Sequence, residues 1–443
     1  MTVALLVYTV LMLSVSRVSW IVYRHNHRFD ERPLFTKADR FRDLTNYVGK
    51  TAHLLGGAAT LGRGYPVYTY PAPAAFVYKA LIYAVPGYGV VIYLTFLAIC
   101  TLGFAIAALR ASRGSRWVGP AAAVAIVATA VFGYPLWFDA DRGNIEGVVW
   151  AMAAVGLCFL LRARYRAAAV LIGLAASIKP FSILFLLLLL ARRRYKEAAL
   201  GVVTAGLVIL AALTALGPNP WKAYQGLKPG VSLYLAEYVT NLAPAEEARF
   251  DHSLLDGMKS AALTVEMGGI RPRKAIGDVE TLNAEPGGWP VIHTLVRVYP
   301  FVAMAGLGLL VAVFRKLPML NQLTALGVAI TLFPLAAGDY TLLHLYVPFG
   351  ALVVFMTREA AAGRSTLAFG SLLAFAVTYA LLFAPLTFLA IYAGDAKLLL
   401  LLALLVVAAV SPMPSEYFGD PAGEVQREQT GEIGPDAAGL LAS

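Results

Sequence analysis

Charge is what this sequence has least of. Of its 443 residues, 14% are charged and 59% are hydrophobic. A soluble domain carries about 25% charged and 45–50% apolar residues, so a soluble globular fold is excluded. Cysteine is scarce too. Cys100 and Cys158 both fall in apolar runs and read as small packing hydrophobes rather than a disulfide. There is no P-loop and no His-Glu-x-x-His zinc motif. No internal repeat is evident, which counts against a transporter of the inverted-repeat kind. The opening stretch MTVALLVYTVLMLSVSRVSWIVYR has neither a basic leading region nor a following small-residue cleavage site, so a retained anchor is expected. The net charge of +10 comes with no soluble basic domain or base-reading motif, and nucleic acid is not expected as a partner.

Long apolar runs are abundant, and mean hydropathy is +0.70. They cover 3–23, 87–109, 118–135, 144–161, 197–216, 291–314, 317–334, 340–357, 366–391 and 397–411. A further pair, 167–178 and 180–191, is split by Lys179-Pro180. Each half, at about 12 residues or roughly 18 Å, is too short to span, and Pro180, which lacks an N–H, ends the first half. The pair reads as two short helices that enter and return, or as one broken element. Backbone in lipid must satisfy itself, so the runs must be helices. The expected class is an all-α polytopic membrane protein with roughly 10–12 transmembrane or re-entrant helices, at about 20 residues per span. One domain over 1–411 is expected, followed by a disordered acidic cytoplasmic tail over 412–443.

Basic clusters set the orientation. RASRGSR (110–116), RARYR (162–166), RRRYK (192–196), Arg315-Lys316 and Arg358 with Arg364 are all expected on the cytoplasmic side. Segments 24–70, 134–143, the Lys179 tip, 217–290 and 335–341 then face the opposite side. The polar residues that are odd in a membrane protein gather there. Asp43 and Tyr47 are spaced to share a helix face, with Arg40 and Arg42 beside them. Tyr70 belongs to a Tyr- and Pro-rich run. WFDADRGNIEG (137–147) carries Asn144 and Glu146, DHSL (251–254) carries Ser253, and His344 precedes a span. Ionisable groups at membrane depth are costly and point to function. Each also has a plainer explanation. Asp43 could pair with Arg40 or Arg42, Lys179 could snorkel, and His344 could be a packing histidine. Glu146 could complement a helix dipole, and the tyrosines could form an interfacial belt. Asp139 and Asp141 could be weighed as a metal pair, but no metal cluster is evident and no cofactor is expected.

Taken in order, these motifs resemble the polyprenol-phosphate-mannose-dependent α-mannosyltransferases, GT-C superfamily enzymes of envelope synthesis. The resemblance runs over about residues 1–411, and AASIKPFSILFLLLLLARRR (175–194) is its most specific part. Where that family has Tyr-Pro-Pro, Gly-Gln-x-Asn and His-His, this chain has Tyr70-Pro71-Ala72-Pro73, Gly143-Asn144-Ile145-Glu146 and His344-Leu345. The resemblance implies a GT-C fold in the inner (plasma) membrane with its site on the extracytoplasmic side. It implies transfer of a sugar, mannose first, from a polyprenyl-phosphate donor to a hydroxyl of a lipid-linked glycan or glycolipid. Asp43 would be the general base of an inverting reaction. Lys179, His344, Arg40 and Arg42 would bind the donor phosphate, and Tyr47, Tyr70, Asn144, Glu146 and Ser253 the substrates. A transferase using polyprenyl-phosphate-arabinose or another sugar, or a flippase for lipid-linked sugars, are the alternative readings.

Overall fold

The computed structural model describes residues 1–25, 41, 43–44, 70–83, 88–112, 115–116, 118–235, 239, 250–266, 290–314 and 316–413. Arg40, Arg42 and Tyr47, and the tail beyond 413, lie outside the described residues. Within them the regular elements are helical. The first half holds α1 (Thr2–His25), α2 (Ala72–Tyr83), α3 (Gly89–Ala111), α4 (Val118–Phe132), α5 (Tyr134–Arg142), α6 (Glu146–Leu161) and α7 (Tyr165–Ile178). Next come α8 (Leu187–Ala191), α9 (Tyr195–Leu216), α10 (Pro220–Tyr234), α11 (Leu254–Glu266) and α12 (Pro290–Phe314). The chain closes with α13 (Met319–Leu332), α14 (Tyr346–Ala361), α15 (Phe369–Leu382) and α16 (Ala393–Val410). Three 3-10 segments, Pro180–Leu186, Asp339–Leu345 and Thr387–Tyr392, interrupt them.

Seven helical stretches are long and apolar enough to cross a membrane, and shorter apolar helices fill the spaces between them. The protein is therefore an all-α multi-pass membrane protein. Its layering follows from which helices have a free face. Every residue of α13 is buried and α14 is nearly so, which marks the centre of the bundle. Helices α3, α9 and α12 instead expose Ile99, Leu102, Val202, Leu207, Phe301 and Leu309, the apolar surface a lipid-facing helix presents.

The pair broken at Lys179-Pro180 is a re-entrant hairpin. Lys179 is extended (φ −130°, ψ 109°), and Pro180 opens the 3-10 segment that leads into α8. The turns before α7 and after α8 each use one residue in the left-handed region, Ala163 (φ 57°) and Arg193 (φ 58°). The Arg194 guanidinium lies 4.7 Å from the Tyr165 ring centroid, so the two basic turns are neighbours. Both ends of the hairpin thus sit at one end of the bundle, and Lys179 is carried to the tip.

Three expected runs are subdivided. Gly133 breaks the run 118–135 into α4 and α5. The run 340–357 begins as 3-10 helix before α14. The run 366–391 stops at Leu382 and resumes only at Thr387, with Pro385 in the gap. At the end of the described chain, α16 and the residues just after it are tied to α13. Asn321 bonds the Ala408 and Ser411 carbonyls at 2.6 and 2.8 Å and accepts from the Met413 N–H at 2.8 Å.

Candidate functional site

The site begins at the turn that ends α5. Gly143 has φ +67° and closes the helix by donating to the Asp139 carbonyl at 2.9 Å. A side chain there would strain the backbone. It would also collide with the segment docked on the turn, since a Cβ would stand 2.7 Å from Leu44 Cβ. The Phe41 N–H bonds the Asp141 carbonyl at 2.7 Å. By this seam the Asp43 carboxylate reaches the turn from a distant part of the sequence.

Asn144 is the hub. Its Nδ2 donates to Asp43 Oδ2 at 2.6 Å and to the Tyr70 hydroxyl at 3.1 Å. Its Oδ1 accepts from Lys179 Nζ at 3.2 Å and from the Glu146 N–H at 3.0 Å. A carboxamide has two donor hydrogens and two acceptor lone pairs, and all four are used. The neighbours also fix its orientation, because the opposite flip would face oxygen to carboxylate and NH2 to ammonium. Arg142 Nε adds a second donor to Asp43 Oδ2 at 2.8 Å. Among the described residues, the ion pair of Asp43 is with Arg142, the last residue of α5.

Glu146 opens α6 and is buried, with Lys179 Nζ on Oε2 and His344 Nε2 2.7 Å from Oε1. Lys179 and His344, both expected at the donor phosphate, thus already share a carboxylate, which answers the cost of burying the ammonium. Lys179 also lies 4.7 Å from the Tyr340 ring centroid and 5.5 Å from that of Tyr70, within cation–π range. His344 Nδ1 is buried and has no hydrogen-bond partner among the described residues. The expected residues Asp43, Tyr70, Asn144, Glu146, Lys179 and His344 are thereby brought into one connected network. Ser253 is placed differently. Its Oγ accepts the Asp256 N–H at 3.2 Å and caps α11.

Sequence reasoning missed several participants. Arg142 lies in WFDADRGNIEG, but nothing local marks it as the partner of Asp43. Tyr93, inside α3, bonds Asp139 Oδ2 and the Asn144 carbonyl, each at 2.6 Å. Asp139 and Asp141 are two residues apart on α5 and so point to different faces, which removes them as a metal pair. A second charge cluster lies at the start of the Asp339–Leu345 segment. Lys397 Nζ is 2.7 Å and His252 Nδ1 3.5 Å from Asp339 Oδ1, and His252 Nε2 is 3.1 Å from Thr341 Oγ1. The available signal for Lys397 was a lone ammonium at the head of an apolar run.

Chemically, the network offers a carboxylate oriented by two donors next to a cation cluster, lined by Tyr70 and Tyr340. Residues 68–265 match the model of glycosyltransferase family 87. No curated protein and no solved structure matches the chain. The matched stretch includes Tyr70, Arg142, Asn144, Glu146 and Lys179 and excludes Asp43 and His344. The match, over less than half of the chain, points to a glycosyltransferase, and such an enzyme embedded in the membrane would use lipid-linked substrates.

Proposed function

We propose that the protein transfers a sugar, mannose before others, from a polyprenyl-phosphate donor to a hydroxyl of a lipid-linked glycan or glycolipid. Transfer takes place on the extracytoplasmic side of the plasma membrane, with inversion at the anomeric carbon. The observation that carries this reading is the continuous chain from Asp43 through Asn144 to Lys179, Glu146 and His344. It sets a candidate base beside candidate phosphate ligands, as the reaction requires.

In the proposed step, Asp43 takes the acceptor hydroxyl proton while that oxygen bonds the anomeric carbon. The bond from that carbon to the phosphate oxygen breaks, and polyprenyl phosphate leaves with the electron pair. The bonds from Arg142 and Asn144 both end on Oδ2. Oδ1 takes the proton. An ammonium has three hydrogens. Glu146 and Asn144 take two from Lys179, and the third is assigned to the phosphate. His344 is assigned to the same anion through Nδ1–H while Nε2–H stays on Glu146, which would give the buried Nδ1 a partner. Placing cations where charge develops is the largest single means of lowering such a barrier. Arg40 and Arg42 remain part of the proposed phosphate set, and Tyr47 of the substrate set.

The test is transfer by the purified full-length protein from radiolabelled polyprenyl-phosphate-mannose, -arabinose and -glucose to an extracted glycolipid fraction. Mannose transfer is expected. Transfer from another donor corrects the sugar, and no transfer from any donor rejects the reading.

A further inference from the structure

Protons can be counted at Tyr93, whose hydroxyl has a single hydrogen. Its oxygen lies 2.6 Å from the Asn144 carbonyl oxygen and 2.6 Å from Asp139 Oδ2. Contacts that short between oxygens are hydrogen bonds, and at 2.6 Å on both sides one proton shared between two acceptors would align with neither. A carbonyl can only accept, so the tyrosine proton goes to Asn144. An ionised carboxylate can also only accept, so the second contact would set two oxygens together with nothing between them. The missing proton must come from Asp139.

Its surroundings agree. Asp139 is fully buried, and its Oδ1 has no hydrogen-bond partner among the described residues. A buried carboxylate with one bare oxygen would be costly, and the usual outcome is neutralisation. Its cationic neighbour Lys179 is committed to Glu146. Among the described residues, the charged groups that act on Asp139 are Glu146, Lys179 and Asp43, two of them carboxylates. The site is also built for close approach. A Cβ on Gly147 would stand 2.5 Å from Asp139 Oδ2 and 3.2 Å from the Tyr93 hydroxyl, so only glycine leaves room.

We propose that Asp139 is held as a neutral carboxylic acid that donates to Tyr93, and that this pair is a positioning device for Asn144. Asp139 grips the turn twice. Its own main-chain carbonyl accepts from the Gly143 and Asn144 N–H groups at 2.9 and 3.3 Å. Its side chain, through Tyr93, holds the Asn144 carbonyl. Asn144 in turn orients Asp43 and Lys179. Asp139 and Tyr93 touch none of the groups assigned to reacting atoms and act through Asn144.

The experiment is infrared difference spectroscopy on the full-length protein in nanodiscs at neutral pH, wild type minus Asp139→Asn. Loss of the carbonyl stretch of a protonated carboxylic acid is expected. Loss of carboxylate stretches instead overturns the assignment. The positioning role rests on the proposed transferase reading and is tested by turnover. Tyr93→Phe is expected to lower kcat by up to about 10²-fold, the scale of a small misplacement, with little change in KM. Asp139→Asn should recover the activity lost in Asp139→Ala, because an amide N–H can replace the acid O–H toward Tyr93. Equal loss in both Asp139 variants, with unchanged melting, overturns the positioning role. If the wild type transfers no sugar, the transferase reading fails while the infrared result still decides the protonation.

Discussion

At Asp43 a single atom separates two outcomes. Asp43→Asn keeps the shape and an acceptor for Arg142 but cannot take a proton. Transfer is expected to fall 10²–10⁴-fold, the usual worth of a positioned base, with expression retained. Single-turnover transfer measures it, and a variant keeping more than about a tenth of the rate removes Asp43 as the base. Asn144→Asp is the complementary test, because it sets a carboxylate oxygen where Nδ2 now bonds Asp43 at 2.6 Å. Melting should fall by more than the ~1–3 kcal/mol expected for leaving one buried partner unmet. A melting curve matching wild type would mean that the amide does not bridge these groups.

The Asp339–Leu345 segment is seven residues of 3-10 helix, longer than that geometry usually sustains by itself. It is tied at both ends, at Asp339 by Lys397 and at His344 by Glu146, with Tyr340 against Lys179 between them. Lys397→Met would leave a buried carboxylate beside His252 without its ammonium. About 3–5 kcal/mol of destabilisation is expected, the range for breaking one side of a buried pair. Asp339→Asn combined with Lys397→Met should recover much of it. Thermal unfolding of both proteins in one detergent checks this, and additive losses would show that the pair is uncoupled.

Across the whole molecule, the two basic turns lie together at the far end of the re-entrant hairpin from Lys179. This arrangement supports the proposed sidedness, with the candidate site outside the cell. Single cysteines in a background lacking Cys100 and Cys158 test it. Ala261 on α11 and Lys196 on α9 are both exposed. An impermeant thiol reagent on intact cells is expected to label Ala261→Cys and to spare Lys196→Cys and Thr430→Cys. The reverse pattern rejects the topology and with it an extracytoplasmic reaction.

The class, the apolar runs and the break at Lys179-Pro180 were decided by the sequence itself. Hydrophobic length and proline are local properties, and lipid leaves the backbone no choice but helix. The same local logic singled out Asp43, Asn144, Glu146, Lys179 and His344 as charged or polar groups misplaced for a membrane. Their partners were decided only by the tertiary structure. Asp43 meets Asn144 across 101 residues and Glu146 meets His344 across 198. No periodicity spans such separations. Tyr93 and Lys397 were hidden for the same reason. Each sits in a run whose hydrophobicity announces only a helix, and its role depends on which buried group the packing sets against it.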